Sequence, residues 1–250
     1  MHSPPILLTS SVVAMDQTVL LKDQNLRLFY TLESIKMWLE IAPKSKFVVC
    51  DGSGFDFSPL LQKEFPDADI ESLCFLNDVE LVRLHGKGFG EGEIIRYALA
   101  HSKSLAESSW FLKCTGKLWV DNFQQCLAEW NGQFLCKAFF SNVFSFRSTK
   151  LEYVDTRFYM VDKSFYLKYL SNAHSDLDAH SGSSIEDEFL GIVLAQGMRG
   201  IFFRTPPVIS GVGGGSGKYY NTRILRRAKE RLRSTLVSLT PRFQKLFNLP

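Results

Sequence analysis

The sequence predicts an α/β fold, with a central, mostly parallel sheet flanked by helices and a basic amphipathic helix at the C-terminus. Three observations carry this expectation. Short apolar runs alternate with helix-length amphipathic segments through the first half of the chain, the pattern of a layered sheet with crossover helices. Polar turn clusters follow several of these runs, where an open parallel sheet collects its ligands. Charge is also divided unevenly, a mildly acidic body being followed by a strongly basic tail.

Residues 6–14 (ILLTSSVVA) read as a buried strand entering a polar loop. Residues 25–41 place Leu26, Phe29, Tyr30, Ile35, Trp38 and Leu39 at helical spacing and stop near Pro43. Residues 46–50 (KFVVC) form a short strand that runs into Asp51-Gly52-Ser53-Gly54, a turn cluster. A short helix over 58–64, a strand over 70–76, a helix over 91–104 and a strand over 110–114 complete the alternation. In the second half, 139–146 and 151–161 read as strands able to pair with each other. Residues 164–172 and 185–196 read as helices, separated by a polar loop over 174–184. A strand is expected over 200–204, and the glycine run 211–217 has little capacity for regular structure.

The 250 residues are 45% hydrophobic and 22% charged, enough to bury a core without a disulfide or metal staple. Five cysteines, an odd number with no CxxC pair, suit free thiols in a cytoplasmic protein. The apolar stretch 6–15 is short, broken by Thr9, Ser10 and Ser11, and has no basic residue before it, so neither a leader nor an anchor is expected. From residue 222 onward, eight basic residues (Arg223, Arg226, Arg227, Lys229, Arg231, Arg233, Arg242, Lys245) meet one acid, Glu230, a balance of +7. The preceding 21 basic and 25 acidic residues give −4, so the pI does not make the body a nucleic-acid binder. The economical division is one domain over 1–221 and a tail over 222–250.

Three polar clusters fall at expected strand ends: Thr9-Ser10-Ser11, Asp51-Gly52-Ser53, and Lys113-Cys114-Thr115-Gly116-Lys117. A carboxylate such as Asp51 can accept hydrogen bonds from a base or ribose, or simply cap its own turn. Residues 86–93 (GKGFGEGE) have the wrong glycine spacing and place in the chain for a dinucleotide fingerprint, but offer Lys87 and amides such as that of Gly88 at a helix entrance. Residues 211–218 (GVGGGSGK) fail the phosphate-loop pattern, with Val212 where glycine is required and Tyr219 where a hydroxyl is required. Such a run can fold over a substrate as a lid or act as a linker. The histidines (His2, His85, His101, His174, His180) show no metal spacing, and no G-x-S-x-G elbow of a hydrolase is present.

Taken in order, these motifs resemble GT-A-type glycosyltransferases. The segment IEDEFLGIVLAQG over 185–197 is similar to the Glu-Asp helix of that fold, with Glu186 and Asp187 as the pair, Leu190 and Leu194 as its apolar face, and Gly197 as its stop. Where those enzymes carry Asp-x-Asp, this chain has Lys113, Thr115, Gly116 and Lys117, which resembles a smaller group of bacterial polysaccharide glycosyltransferases with K-x-T-G-[KR]. Asp23, Arg27 and Tyr30, then Asp51, Gly52, Ser53, Gly54 and Asp56, then Gly86 to Glu91, and finally Gly211, Gly214, Ser216, Gly217, Lys218 and Tyr220 match that group's other motifs. The resemblance covers about residues 5–221 and implies a GT-A-like, Rossmann-type layer.

It further implies a nucleotide-sugar donor and a glycan or lipid-linked glycan acceptor in bacterial surface polysaccharide (O-antigen or capsule) synthesis. Thr9, Arg27, Asp51, Ser53, Lys87, Gly88, Glu91, Lys113, Thr115, Gly116, Lys117 and Lys218 are the expected nucleotide-sugar contacts. Without Asp-x-Asp no divalent metal is expected, and Lys113, Lys117, Lys87 and Lys218 are assigned the leaving diphosphate's charge. Glu186, or Asp187, is the expected base, with inversion the expected outcome; a capping box at Ser183 or Ser184 is the competing account of the pair.

In the tail, Leu225, Ala228, Leu232, Leu236 and Leu239 recur at helical spacing, and Pro241 precedes an apolar coda of Phe243, Leu246, Phe247 and Leu249. Leucines opposite arginines suit an anionic membrane surface, which would place the protein peripherally on the inner face of the cytoplasmic membrane; a helix packed on the body with a solvated basic face suits the same pattern. No nucleic-acid partner is expected. The competing functional classes are a non-catalytic nucleotide-binding module and a nucleotidyltransferase, for which Asp121 is the nearest carboxylate.

Overall fold

A computed structural model describes residues 3–145, 148–179, 181–220 and 224–247. His2, Phe146, His180, Arg223 and Leu249 lie outside the described residues, as do the side chains of Leu225 and Arg226. The first half runs β1 (Ile6–Ser10), α1 (Gln24–Ile41), β2 (Phe47–Asp51), α2 (Ser58–Glu64), β3 (Ile70–Cys74), α3 (Val79–His85), α4 (Lys87–His101), α5 (Lys103–Ala106) and β4 (Trp110–Thr115). Then follow β5 (Leu118–Val120), α6 (Phe123–Leu127), β6 (Phe134–Ser141) and β7 (Lys150–Asp162). Next, α7 (Lys163–Phe165) widens into a π-helical turn over Tyr166–Leu170. The chain closes with α8 (Ile185–Ala195), β8 (Ile209–Val212), β9 (Tyr219–Tyr220), α9 (Ile224–Ser238) and α10 (Pro241–Phe247).

Six strands form the main sheet in the order β3-β2-β1-β4-β7-β6. The first four are mutually parallel, while β7 runs antiparallel to β4 and β6 antiparallel to β7. The expected mostly parallel layer is therefore the one observed. Strand alternation divides its core in two. Leu7, Val48 and Cys50 pack with Ile94, Ile95 and Ala98 of α4 on one face. Ile6, Leu8, Phe47, Val49 and Leu112 pack with Ile35 and Trp38 of α1 on the other. The chain goes from β1 outward to β2 and β3, then crosses back to β4 on the other side of β1. That reversal puts a topological switch point between the carboxyl ends of β1 and β4.

Several local expectations are corrected. The glycine segment after residue 86 is not an open loop, because α4 begins at Lys87 and carries Gly88, Gly90 and Gly92 within it. Gly88 is a packing position: a β-carbon there would lie 2.9 Å from Leu177 and 3.2 Å from Ile185. Residues 200–204 make no strand beyond one bridge, Cys136 to Phe202. The glycine run is more ordered than its composition suggests, since β8 and β9 form a hairpin around it and join β5 in a second sheet, β5-β8-β9. At the start of the polar 174–184 loop, His174 and Leu177 are buried.

The tail packs along the outer side of β6. Glu230 pairs with Lys137 at 2.7 Å, Arg227 with Asp121 at 2.6 Å, and Arg233 donates to the Phe140 carbonyl. Pro241 opens α10 rather than merely stopping α9, and Phe243, Leu246 and Phe247 enter the core beside Phe140 and Phe202. Val237 also faces inward, whereas Leu232 and Leu239, expected on one apolar stripe, are 52% and 70% exposed. No helix among the described residues is long and apolar enough to cross a membrane.

Candidate functional site

Two constellations meet at the switch point. The inner one is a closed polar network. Glu91, on α4, uses Oε1 to accept hydrogen bonds from the hydroxyls of Thr9 (2.8 Å) and Thr115 (2.9 Å) and an ion pair from Lys113 (2.7 Å). Lys113 Nζ also donates to Thr115 Oγ1 and to the Thr156 carbonyl, and the residue is 0% exposed. Burial pushes the Glu91 carboxyl up, but Lys113 and the two hydroxyls outweigh it and hold its pKa below the usual range. Thr9, Glu91, Lys113 and Thr115 thus tie α4, β1 and β4 together, and the Lys113 ammonium is engaged within the protein rather than facing the cleft. Gly116 completes the join, its amide donating to the Thr9 carbonyl at 2.7 Å.

Asp51 and Ser53 also organise backbone. Asp51 is fully buried and accepts from the amides of Val12, Ser53 and Phe55 and from the Ser53 hydroxyl. Ser53 Oγ in turn accepts from the Val13 amide. The carboxylate therefore shapes the loop after β1. Lys87 surrenders its backbone amide to Asp16 (2.8 Å), which leaves its ammonium as the group available to a ligand.

The outer constellation is cationic. Arg27, buried near the start of α1, donates to the carbonyls of Ser11 and Leu21 and to no carboxylate among the described residues. Lys117 is 3% exposed, sits in the turn between β4 and β5 with a left-handed backbone (φ 74°), and makes no side-chain hydrogen bond or ion pair among the described residues. A lysine held in that conformation is a strained choice at such a turn. Burial, reinforced by the nearby Arg27 charge, pulls its pKa down to about 7, against the opposing pull of Asp51 and Glu91. Sequence spacing did not separate Lys113 from Lys117; only the register of β4 and the turn after it do so.

The glycine loop between β8 and β9 lies directly over these cations. A β-carbon on Gly214 would stand 3.0 Å from Lys117 Cε and 3.7 Å from Arg27 Nη1, and one on Gly215 would stand 2.8 Å from Lys87 Nζ. The Gly215 carbonyl accepts from the Leu20 amide, joining the loop to the segment after β1. At the loop's root Gly211 has φ 103° and would place a β-carbon 2.1 Å from the Lys117 carbonyl oxygen, an approach open only to glycine. Lys218 follows on the exposed side of the loop. The hairpin was not legible as secondary structure, because glycine composition speaks only for conformational freedom.

The Glu-Asp pair opens α8 and its two members differ. Ser184 is the N-cap: its hydroxyl donates to Asp187 Oδ2 and accepts from the Asp187 amide. Asp187 is thereby occupied by the cap. Glu186 Oε1 accepts from the Thr156 hydroxyl at 2.8 Å, and Oε2 makes no hydrogen bond among the described residues. Thr156 links the inner network to the start of α8, since its carbonyl receives Lys113 and its hydroxyl donates to Glu186.

A divalent ion at the end of β4 would need carboxylates there. Thr115, Gly116 and Lys117 supply none, and Asp121 is held by Trp119 Nε1, Ser210 Oγ and Arg227. No three His, Cys, Asp or Glu side chains among the described residues converge on a metal position. The end of β4 thus presents hydroxyl, amide and ammonium groups rather than carboxylates.

The α/β fold, a mostly parallel sheet flanked by helices, is similar to that of a solved CTP transferase. Among solved structures, the inositol-1-phosphate CTP transferase from T. maritima superposes with a TM-score of 0.50 at 13% identity, covering 96% of this chain and 97% of its own. A protein described as a nucleotide-diphospho-sugar transferase, from Desulfovibrio desulfuricans G20, gives 0.48 at 6% identity, covering 81% and 80%. No family model matches the chain, and no curated protein matches it in sequence.

Proposed function

We propose that this chain is a glycosyltransferase that takes a sugar from a nucleoside diphosphate and delivers it to a hydroxyl of a glycan acceptor, with inversion. The observation that carries the reading is Lys117, a buried and strained lysine, unpaired among the described residues, beside Arg27 at the switch point and beneath a glycine loop. Two adjacent cations in a low-dielectric cleft destabilise each other until an anion arrives, and a diphosphate is an anion of suitable charge. In the reaction the acceptor oxygen bonds to the anomeric carbon as the bond from that carbon to the diphosphate breaks. The electron pair leaves with the diphosphate, whose growing charge Lys117, Arg27 and Lys87 offset. The acceptor proton passes to Glu186, whose Thr156 hydrogen bond fixes its orientation. The loop over residues 213–217 keeps water from the sugar.

The outward Leu232 and Leu239, with exposed Lys229 and Arg231 beside them, support a seat on an anionic membrane surface, where a lipid-linked acceptor of bacterial surface polysaccharide synthesis would be met. Deleting residues 222–250 would also remove core side chains, so the test is L232E/L239E, which is expected to release the protein from phosphatidylglycerol vesicles. Unchanged vesicle binding would refute the membrane seat.

A panel of nucleoside diphosphates and nucleotide sugars, followed by thermal shift and product analysis, tests the main reading. The preferred donor is expected to release a nucleoside diphosphate, and Glu186→Gln to lower turnover by about 10²–10⁴ with donor affinity retained. Unchanged turnover would remove Glu186 from the role. Nucleotidyl transfer is a second reading, supported by the fold likeness to a CTP transferase. It predicts pyrophosphate release from a nucleoside triphosphate instead. Binding without any product would leave the module without transfer chemistry.

A further inference from the structure

Away from the switch point, a cleft of about 390 Å³ lies between β6 and α9. Its volume falls within the range of small-molecule sites. Phe139, Phe140, Val143, Phe203, Val237 and Phe247 supply apolar walls. The polar lining is biased in sign: Lys137, Lys229 and Arg233 against Glu230 alone. Glu230 pairs with Lys137, while Lys229 has no ion pair among the described residues and Arg233 reaches only the Phe140 carbonyl. A merely structural gap between a helix and an edge strand would be filled by side chains at interior packing density, at a cost that grows with its volume. Apolar walls with surplus positive charge match a molecule having a hydrocarbon chain and an anionic head.

We infer that this cleft binds a long-chain alkyl or prenyl phosphate as a single molecule, with the chain against Phe139, Phe140 and Val237 and the phosphate against Lys229 and Arg233. The cleft borders the strand pair that leads to the proposed base on α8: Lys137 stands opposite Asp155 on β7, next to Thr156, which hydrogen-bonds Glu186. A chain-linked phosphate seated there lies one strand pair away from Thr156. The inference needs no nucleotide chemistry, so failure of the nucleotide panel leaves it standing and its own failure leaves the donor site untouched.

The test is calorimetry and native mass spectrometry of the full chain, without nucleotide, using dodecyl phosphate below its micelle-forming concentration. Dodecyltrimethylammonium, dodecyl maltoside, inorganic phosphate and phosphatidylglycerol vesicles serve as comparisons. Saturable one-to-one binding of dodecyl phosphate is expected, with the cationic and neutral amphiphiles and inorganic phosphate at least about tenfold weaker. Lys229→Ala with Arg233→Ala is expected to weaken binding by about tenfold or more, and Ser234→Trp, which fills the cleft from α9, to abolish it. Both variants are checked for native unfolding temperature, and the charge variant, altering two partly solvated side chains, keeps the test open if the tryptophan disturbs the fold. Equal binding of the cationic amphiphile, unchanged affinity in the folded charge variant, or binding to vesicles with none to the monomer would each overturn the inference.

Discussion

Lys113 and Lys117 stand four residues apart in one short motif, both buried, and the protein uses them in opposite ways. Lys113 points into the interface of α4, β1 and β4, where Glu91, Thr115 and the Thr156 carbonyl occupy its ammonium. Lys117 lies past the strand end, in a left-handed turn, where its nearest charged neighbours include another cation. Burial alone therefore says nothing about whether a lysine is structural; the number of its partners does. A paired buried cation stabilises the fold, and an unpaired one stores a cost that an anionic ligand relieves.

The sharpest way to break this contrast is to remove Lys113. Lys113→Met leaves the partly buried Glu91 carboxylate without its counter-ion, a loss whose upper range is about 3–5 kcal/mol for a fully buried pair. Urea unfolding is expected to show it, and the double variant Lys113→Met with Glu91→Gln is expected to recover part of the stability. A single variant as stable as the parent would mean that the network is not holding the sheet.

Lys117→Met is expected to act in the other direction. Nucleoside diphosphate affinity falls by about 1.5–3 kcal/mol, the value of a charge-assisted hydrogen bond, or roughly ten- to a hundredfold. The ligand-free protein, relieved of a desolvated charge beside Arg27, unfolds at a higher temperature. Loss of binding together with loss of stability would place Lys117 with Lys113 as a structural residue.

How far the sequence spoke follows the same divide. Alternation of apolar runs located β1 to β4 and α1 to within a few residues, because burial on both faces of a parallel sheet leaves a local signature. It missed β5 and β8, which pair with each other across nearly a hundred residues, as Trp119 does with Ser210, and β9, a two-residue strand that closes the hairpin on β8. At the site, residue types marked Thr9, Glu91, Lys113 and Thr115 as one group with Lys117, since all are polar and near strand ends. Which polar groups satisfy each other is a matter of three-dimensional register. Glu186 and Asp187 show it again: adjacent in sequence, one closes the helix cap and the other meets Thr156. In the tail, leucine periodicity alone did not say which residues meet the body: Arg227, Glu230 and Arg233 find partners there, while Leu232 faces outward.

Proton linkage sharpens the comparison further. With the Lys117 pKa lowered to about 7, the folded protein prefers the neutral amine, whereas the unfolded chain holds the proton up to an ordinary lysine pKa near 10.4. Between those values the unfolded state binds more protons, so ligand-free stability rises with pH across that window, and below about 7 the burial penalty is present in full. Diphosphate binding reverses the preference and restores the ammonium. Affinity is therefore expected to weaken above about pH 7, by up to tenfold per unit, with proton uptake visible as a buffer-dependent binding enthalpy. Both slopes disappear in Lys117→Met; slopes that persist there belong to another group.

Lys87 sets the lower end of the scale. It reaches the same loop, close to Gly215, but it is exposed. Solvent and salt screen an exposed cation, so Lys87→Ala is expected to cost about 0.2–1 kcal/mol in diphosphate affinity. Its contribution fades as salt is raised through several hundred millimolar, while that of Lys117 persists because water and counter-ions are kept from it. Titrating the parent and both variants with one nucleoside diphosphate at low and high ionic strength separates the two. Equal salt sensitivity would show that Lys117 meets its ligand in open solvent, and the distinction between a cation stored under the glycine loop and one at its rim would fall.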